Sequence, residues 1–372
     1  MSGDALTNTP KLGFGLMRLP RFKSGKIDVE QTSQMVDMFL DAGLTYFDTA
    51  YVYEGSEEAT RKALVERHPR DSFTLASKIN ARLGCVDAKT CKAQLQESLR
   101  RTGAGYLDFY LLHALQSSNR DNYDRYGIWD FVREQKKRGV VRHVGFSFHD
   151  SPQMLDELLT LHPEVDFVQL QINYADWESP TVFSRENYEV ARSHGKPVVI
   201  MEPVKGGRLA NPPREVAQIL RHANPDASLA SWAIRFAASL DGVMTVLSGM
   251  STLDQVRDNV GYMGDFRPLD QGEREAVERA RQALAGVEQV PCTACRYCVE
   301  GCPRDIPIPD VFEALNQELL WGNPTRACKE YAEAVRGHGG AGDCIGCRRC
   351  EGTCPQHIEV TSWLRRAARD LA

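Results

Sequence analysis

No stretch of this 372-residue chain approaches about 18 uninterrupted apolar residues, so no segment is built to cross a bilayer as a helix. Excess charge is also scarce. A formal net charge of −5 gives no broad basic field for nucleic acid. The opening MSGDALTNTPK has no apolar run of the signal-peptide kind, and a cytoplasmic location is expected. Missing too is a Gly-x-Gly-x-x-Gly after the first strand-like segment. GFG at 13–15 does not complete it, which argues against an open doubly wound sheet. Low-complexity tracts are absent. Cysteine is nearly absent before residue 290, with only Cys85 and Cys91.

The other nine of the eleven cysteines crowd into positions 292–354. Without an export signal a disulfide scaffold is a poor explanation, and metal ligation a better one. CTACRYCVEGCP sets Cys292, Cys295, Cys298 and Cys302 before a proline, and CIGCRRCEGTCP repeats the pattern with Cys344, Cys347, Cys350 and Cys354. Two residues between ligands let one tight loop present three thiolates to three corners of a [4Fe–4S] cube. Zinc ribbons also use paired C-x₂-C units, but need no fourth Cys-Pro. The spacing, occurring twice, points to two [4Fe–4S] clusters. Cys328, Cys85 and Cys91 lie outside it and are expected to be ordinary small, buried side chains.

Hydrophobic content of 42% and charged content of 26% suit a folded protein with a sizeable core. Eight β-rich runs recur through the first 270 residues: KLGFG (11–15), LTYFD (44–48), FTLAS (73–77), LDFYLL (107–112), RHVGFS (142–147), FVQLQI (167–172), PVVIME (197–202) and VMTVLS (243–248). Amphipathic patterns such as VEQTSQMVDMFLDAG and AKTCKAQLQESLRRTG lie between them, several closed by Gly. Repeated βα units need crossovers and hence a parallel sheet; eight of them predict a (β/α)₈ TIM barrel over 1–270. A charged helical linker over 271–290 then leads to a mainly helical cluster domain over 291–372, with helices around PDVFEALNQELLW and TRACKEYAEAVR.

Four polar residues belong to the ends of consecutive runs: Asp48 closing LTYFD, Tyr53 five residues on, Lys78 after FTLAS, and His113 after the leucines of YLLH. In a barrel those ends share one mouth. Each has a plain alternative as helix cap, solvated cation or structural histidine, but four at successive strand ends make a set. Tyrosine, with a pKa near 10, is a poor acid at neutral pH, and a neighbouring ammonium favours its phenolate. Asp48 pairs with Lys78 and keeps it charged. A neutral His113 orients a carbonyl oxygen for protonation by Tyr53. The set suits hydride transfer to a carbonyl.

Over roughly residues 8–265 the chain resembles the aldo-keto reductase family. The resemblance is carried by GFGLMRLP (13–20), FDTAYVYEGSE (47–57), SK (77–78), YLLH (110–113), GFS (145–147), VQLQIN (168–173) and SGMSTLDQVRDN (248–259). It implies a barrel binding NADP or NAD in extended form, with Asp48, Tyr53, Lys78 and His113 at catalytic positions and Tyr53 as general acid. It further implies that Ser147 and Gln169 hold the carboxamide. Ser251, Gln255 and Asn259 would hold phosphate and adenine, and Lys205, Gly206 and Gly207 would close over the pyrophosphate. Departures fall at Phe148, with His149 as a substitute donor, at Met201 in place of a stacking aromatic, at Gly249-Met250, and at Gln255, where an arginine commonly reads the 2′-phosphate. The tail resembles two-cluster ferredoxins, its helical insert the α-helical ferredoxin domains of respiratory subunits. That resemblance implies ligation of one cluster by Cys292, Cys295, Cys298 and Cys354, and of the other by Cys344, Cys347, Cys350 and Cys302.

Three functions follow from this reading. One is an NAD(P)H-linked enzyme interconverting a small carbonyl and an alcohol, its clusters exchanging electrons with a redox protein. Another is the same enzyme with clusters that only staple the tail, and the third an electron-transfer or binding module with an idle barrel. Hydride carries two electrons and a cluster one, so direct coupling wants an intermediary such as a flavin, for which no motif is present.

Overall fold

The computed structural model describes residues 5–82 and 85–372. Eight parallel strands form a closed barrel: β1 Leu12–Gly15, β2 Tyr46–Asp48, β3 Thr74–Ile79, β4 Leu107–Leu115, β5 Val141–Phe148, β6 Phe167–Gln171, β7 Val198–Met201 and β8 Val243–Gly249. Each pairs with the next, and β1 pairs with β8 to close the ring. The helices begin where the sequence supplies caps. Asp28, Asp87, Ser151 and Thr252 each accept from the backbone N–H three residues on, opening Val29–Asp41, Ala88–Thr102, Pro152–Leu161 and Leu253–Met263.

Tyr46, Ala76, Leu111 and Phe167 pack together in one buried cluster. Strand side chains alternate, so the residue two further along points to the same side. Those residues are Asp48, Lys78, His113 and Gln169. The polar set thus stands on top of the barrel's own apolar filling. Gly145 makes room for that filling, because a Cβ there would lie 2.7 Å from both the ring and the carbonyl oxygen of Phe167.

Two boundaries at the site depart from the sequence reading: Lys78 lies within β3, which runs on to Ile79, and the second is in β4. His113 lies within β4, not after it, at an irregularity in the β4–β5 register between Leu112 and Leu115. Ala114 takes a left-handed φ of 52° there. Leu115 ends the strand, so the apolar run alone stopped three residues early.

Contacts divide the chain into two compact units, 1–178 with 183–203 and 231–270, and 179–182 with 204–230 and 271–372. In the second, helix Gln271–Ala285 lies against helix Arg214–Ala223. Helices Ile308–Trp321 and Pro324–Ala334 form the insert between the cysteine motifs. A further helix, Val360–Leu371, buries Val360, Leu364, Ala367 and Leu371 in the tail's core beside Val311, Leu315 and Ile358. The sequence reading assigned nothing to it, although that spacing is an apolar helical stripe. Asn316 locks the insert to the incoming chain, its side chain bonding both the N–H and the C=O of Val290 at 2.8 and 3.0 Å.

Candidate functional site

Asp48 ends β2, Lys78 is the last residue but one of the neighbouring β3, and both are buried, at 3% and 1% exposure. The Lys78 ammonium donates to Asp48 Oδ1 at 2.5 Å and to the Thr49 carbonyl at 2.7 Å. Burial pushes the Asp48 carboxyl up and the Lys78 ammonium down, and each is countered by the other's charge. The nearby Gln169 amide also favours the carboxylate. Tyr53 sits in the loop after β2, half-buried, with the Lys78 nitrogen 5.0 Å from its ring centre. Its ring meets His113 edge-on with centroids 5.6 Å apart. All four expected residues therefore converge.

His113 is fixed through its backbone. Tyr123 donates its hydroxyl to the His113 carbonyl at 2.6 Å, and the Ala114 N–H donates to Ser147 Oγ at 2.7 Å. Burial, and then the charges of Lys78 and Arg82, hold its imidazole well below the usual histidine range. His113 is neutral at ordinary pH.

Sequence reasoning gave no role to Glu57 and Arg101. Glu57 is a buried carboxylate accepting from Ser77 Oγ at 2.7 Å, with Arg101 at 3.4 Å. Arg101 also donates to the Tyr51 carbonyl at 3.2 Å and stacks 4.5 Å from the Tyr51 ring. Together they anchor the loop that carries Tyr53. Glu57 reads as a surface helix start in sequence, and only the burial of β3's Ser77 beside it shows otherwise.

Ser147 and Gln169 are register partners on β5 and β6. Gln169 Oε1 is buried without a hydrogen-bond partner, an acceptor suited to an amide N–H₂ and so to a nicotinamide carboxamide. Beyond β8, Ser251 donates its hydroxyl to the Arg18 carbonyl at 2.6 Å, and its N–H to Gln255 Oε1 at 2.7 Å. Asn259 is buried, donating to Ser248 Oγ at 2.7 Å and accepting from Tyr262 at 2.6 Å. These three shape the turn and the start of helix Leu253–Met263, where backbone N–H groups suit a phosphate. Lys205, Gly206 and Gly207 form a turn with φ of 49°, 66° and 100°. Gly206 lies against the first cysteine loop, since a Cβ there would sit 2.6 Å from the Thr293 oxygen.

The two cysteine motifs share one backbone. Ala294, Arg296 and Asp305 have φ of 53°, 65° and 50°; Gly346, Arg348 and His357, at the same offsets in the second motif, have 70°, 57° and 50°. Left-handed non-glycine residues each cost about 1–3 kcal/mol, and persist only where the surroundings over-determine them. One cavity is lined by Cys344, Cys347 and Cys350 together with Cys302. Four cysteines are the ligand number of a [4Fe–4S] cluster. Burial raises the Cys298 thiol, and the charges of Cys295, Cys292, Cys354 and Cys350 act on it in the same direction. Burial likewise pushes Cys350 up to about 11.

The aldo/keto reductase family model matches residues 11–282, and a 4Fe-4S dicluster domain matches 291–359. The chain belongs to the aldo/keto reductase family. An aldo-keto reductase of Mycobacterium avium (strain 104) is 29% identical over 272 residues, covering 72% of this chain and 85% of that one. The aldo-keto reductase AKR2E4 of Bombyx mori is 26% identical over 175 residues, 44% of this chain and 55% of its own. Among solved structures, the holo form of aldo-keto reductase AKR11C1 from Bacillus halodurans is similar with a TM-score of 0.59 and 26% identity, covering 73% of this chain and 91% of that chain. This family member is thus an oxidoreductase with a ferredoxin-type domain after its barrel.

Proposed function

We propose that this reductase interconverts a small carbonyl and an alcohol with Tyr53 as general acid. The observation that carries it is the Lys78–Asp48 pair at 2.5 Å beside the Tyr53 and His113 rings. Gln169 and Ser147 would hold a nicotinamide at the mouth, with Ser251, Gln255 and Asn259 shaping the site for the adenine end. The nucleotide, NADP or NAD, would supply the hydride. The chain's own residues handle the proton. Neutral His113 donates a hydrogen bond that positions the substrate oxygen, and Tyr53 gives its proton as charge builds there. Lys78 stabilises the phenolate left behind, and Asp48 keeps Lys78 ionised against burial. Barrel neighbours bind such nucleotides; one is described as an aldo-keto reductase from Klebsiella pneumoniae in complex with NADPH.

In the tail, Cys292, Cys295, Cys298 and Cys354 would hold one [4Fe–4S] cluster, and Cys344, Cys347, Cys350 and Cys302 the other. These clusters would supply one-electron transfer. The cavity that Cys302 shares with Cys344, Cys347 and Cys350 supports this interlocked set over local ligation.

Tyr53→Phe tests the barrel reading. Turnover of NADPH with small aldehydes and ketones should fall about 10²–10⁴-fold, the usual weight of a general acid. Nucleotide binding followed by fluorescence should be nearly unchanged. A variant that keeps near-native turnover would remove Tyr53 from the role.

A further inference from the structure

The two cysteine loops share a backbone but not an environment. In the first, Thr293 is buried at 2% exposure and the backbone of Gly206 presses on it. Its arginine, Arg296, is bound at both nitrogens by Asp310, at 3.0 and 2.9 Å. Arg208 closes the same side, bonded to Gln289 at 3.2 Å and 3.6 Å from Glu313. The second loop is open. Ile345, Gly346, Cys347, Arg348 and Arg349 are all exposed, Ile345 at 60%. Arg304, Arg348 and Arg349 line the same cavity as its cysteines. Among the described residues Arg304 gives one hydrogen bond, to the Asp343 carbonyl at 3.3 Å. Arg348 stands 3.7 Å from Glu351, and Arg349 has no ion pair among the described residues. One motif thus spends its cation on its own fold, and the other leaves three guanidinium groups around an exposed isoleucine.

Bare cations around an apolar centre fit a protein surface of opposite charge. Arginine is enriched at interfaces, and complementary charge raises encounter rates more than it raises final affinity. Electron-transfer encounters use the smallest interfaces, so a patch of this size suffices for one.

We propose that the Cys344–Cys350 loop, with Arg304, Arg348, Arg349 and Ile345, is where a small acidic one-electron carrier protein docks. This rests on the reading that Cys344, Cys347, Cys350 and Cys302 hold a cluster. In the step, one electron leaves the reduced carrier and enters the oxidised cluster, or the reverse. No bond is made or broken and no proton is required. The first motif, whose arginine is already paired with Asp310, serves no docking role.

The test uses the full-length, cluster-loaded protein with flavodoxin as an acidic probe and cytochrome c as a basic one. Binding of labelled flavodoxin is read by fluorescence anisotropy, and electron exchange by anaerobic stopped flow. Both should strengthen at least about tenfold as ionic strength falls from about 0.15 M to about 0.01 M. Arg348→Glu with Arg349→Glu should abolish that salt dependence and weaken both readouts at least about tenfold. Arg304→Glu, outside the C-x₂-C loops, should do the same in part. Reversing Arg326 and Lys329 on helix Pro324–Ala334, an equal change in net charge, should alter them less than about twofold. Iron content and electron paramagnetic resonance spectra should match in every variant. Equal losses in the Arg326 and Lys329 control, or a preference for cytochrome c, would overturn the docking surface alone. A wild-type chain that binds no cluster would take down the ligation reading and, with it, this surface.

Discussion

The barrel mouth and the cysteine tail hold reactive groups by opposite means. At the mouth, a buried cation faces a buried anion: Lys78 touches Asp48 at 2.5 Å, and Glu57 and Arg101 repeat the pairing one layer away at 3.4 Å. Each partner of the Lys78–Asp48 pair opposes the loss of charge that burial favours in the other, so this pairing is organised by folding alone. In the tail, like faces like. Cys298 is part-buried, and the charges of Cys292, Cys295, Cys350 and Cys354 each raise its thiol further. Thiolates cannot accumulate there without compensating positive charge, and the loops hold left-handed residues besides. A tail that holds clusters should therefore depend on iron for its order in a way the mouth does not depend on any ligand.

The largest effect that separates the two comes from Cys354→Ala. Cys302 follows the first motif in sequence but lines the cavity of the second, and by the same pattern Cys354 would serve the first. Loss of Cys354 should disturb the cluster held by Cys292, Cys295 and Cys298, and Cys302→Ala should disturb the other. Iron content should fall from about eight atoms per chain, and the tail's helices should lose protease resistance, because metal binding and folding share one free energy. Barrel turnover should survive. If Cys354→Ala alters only the cluster of Cys344, Cys347 and Cys350, ligation is local. If turnover vanishes as well, the contrast between a self-sufficient mouth and an iron-dependent tail is broken.

How much of this was legible in the sequence follows the same divide. All eight strands and the four mouth residues were readable, because burial on a parallel barrel writes apolar runs that end in polar residues. The bulge at His113 was not, since Ala114 and Leu115 continue an apolar run and the register shift depends on Ser147 accepting the Ala114 N–H from another strand. Glu57 was invisible for a related reason: its burial is decided by Ser77 and Arg101, 20 and 44 residues away. In the tail, spacing gave the eight cysteines but not their environments. Nothing local distinguishes Arg296, neutralised by Asp310, from Arg348, which is left exposed.

A smaller effect sharpens the claim that the mouth is organised by burial. His113 is held well below the ordinary histidine value of 6.5, chiefly by burial. Under acid the unfolded chain takes up a proton that the folded chain refuses. Its contribution to stability is thus complete above about pH 6.5 and is lost on acidification below it, at up to about 1.4 kcal/mol per pH unit. His113→Gln should flatten that part of the stability profile relative to wild type, in urea titrations followed by tryptophan fluorescence. Turnover in the wild type should show no acid limb near 6.5 from this residue, because it is already neutral there. Matching slopes in wild type and variant would mean that His113 is protonated in the folded protein.

The smallest expected effect lies at the far end of the barrel site, where side chains are used for the turn itself. Gln255 accepts the Ser251 N–H at 2.7 Å, and its own N–H goes to Thr252 Oγ1 at 3.2 Å. Its amide is engaged in starting helix Leu253–Met263 and carries no charge for a 2′-phosphate. Arg257, two residues on, is drawn to Asp254 at 2.5 Å. Discrimination between NADPH and NADH should therefore be weak, within about tenfold, when both are titrated against the protein. Gln255→Arg should raise the preference for NADPH about 10- to 100-fold, the weight of one charge-assisted contact of about 1.5–3 kcal/mol. Gln255→Ala should leave the ratio near its wild-type value and cost a few tenths to about 1 kcal/mol of stability, as a lost helix-start contact does. A strong NADPH preference that survives Gln255→Ala would place the phosphate reader elsewhere, on Arg257 or Lys205. The nucleotide's adenine end would then be gripped by a charged side chain, and would share the mouth's way of holding its groups.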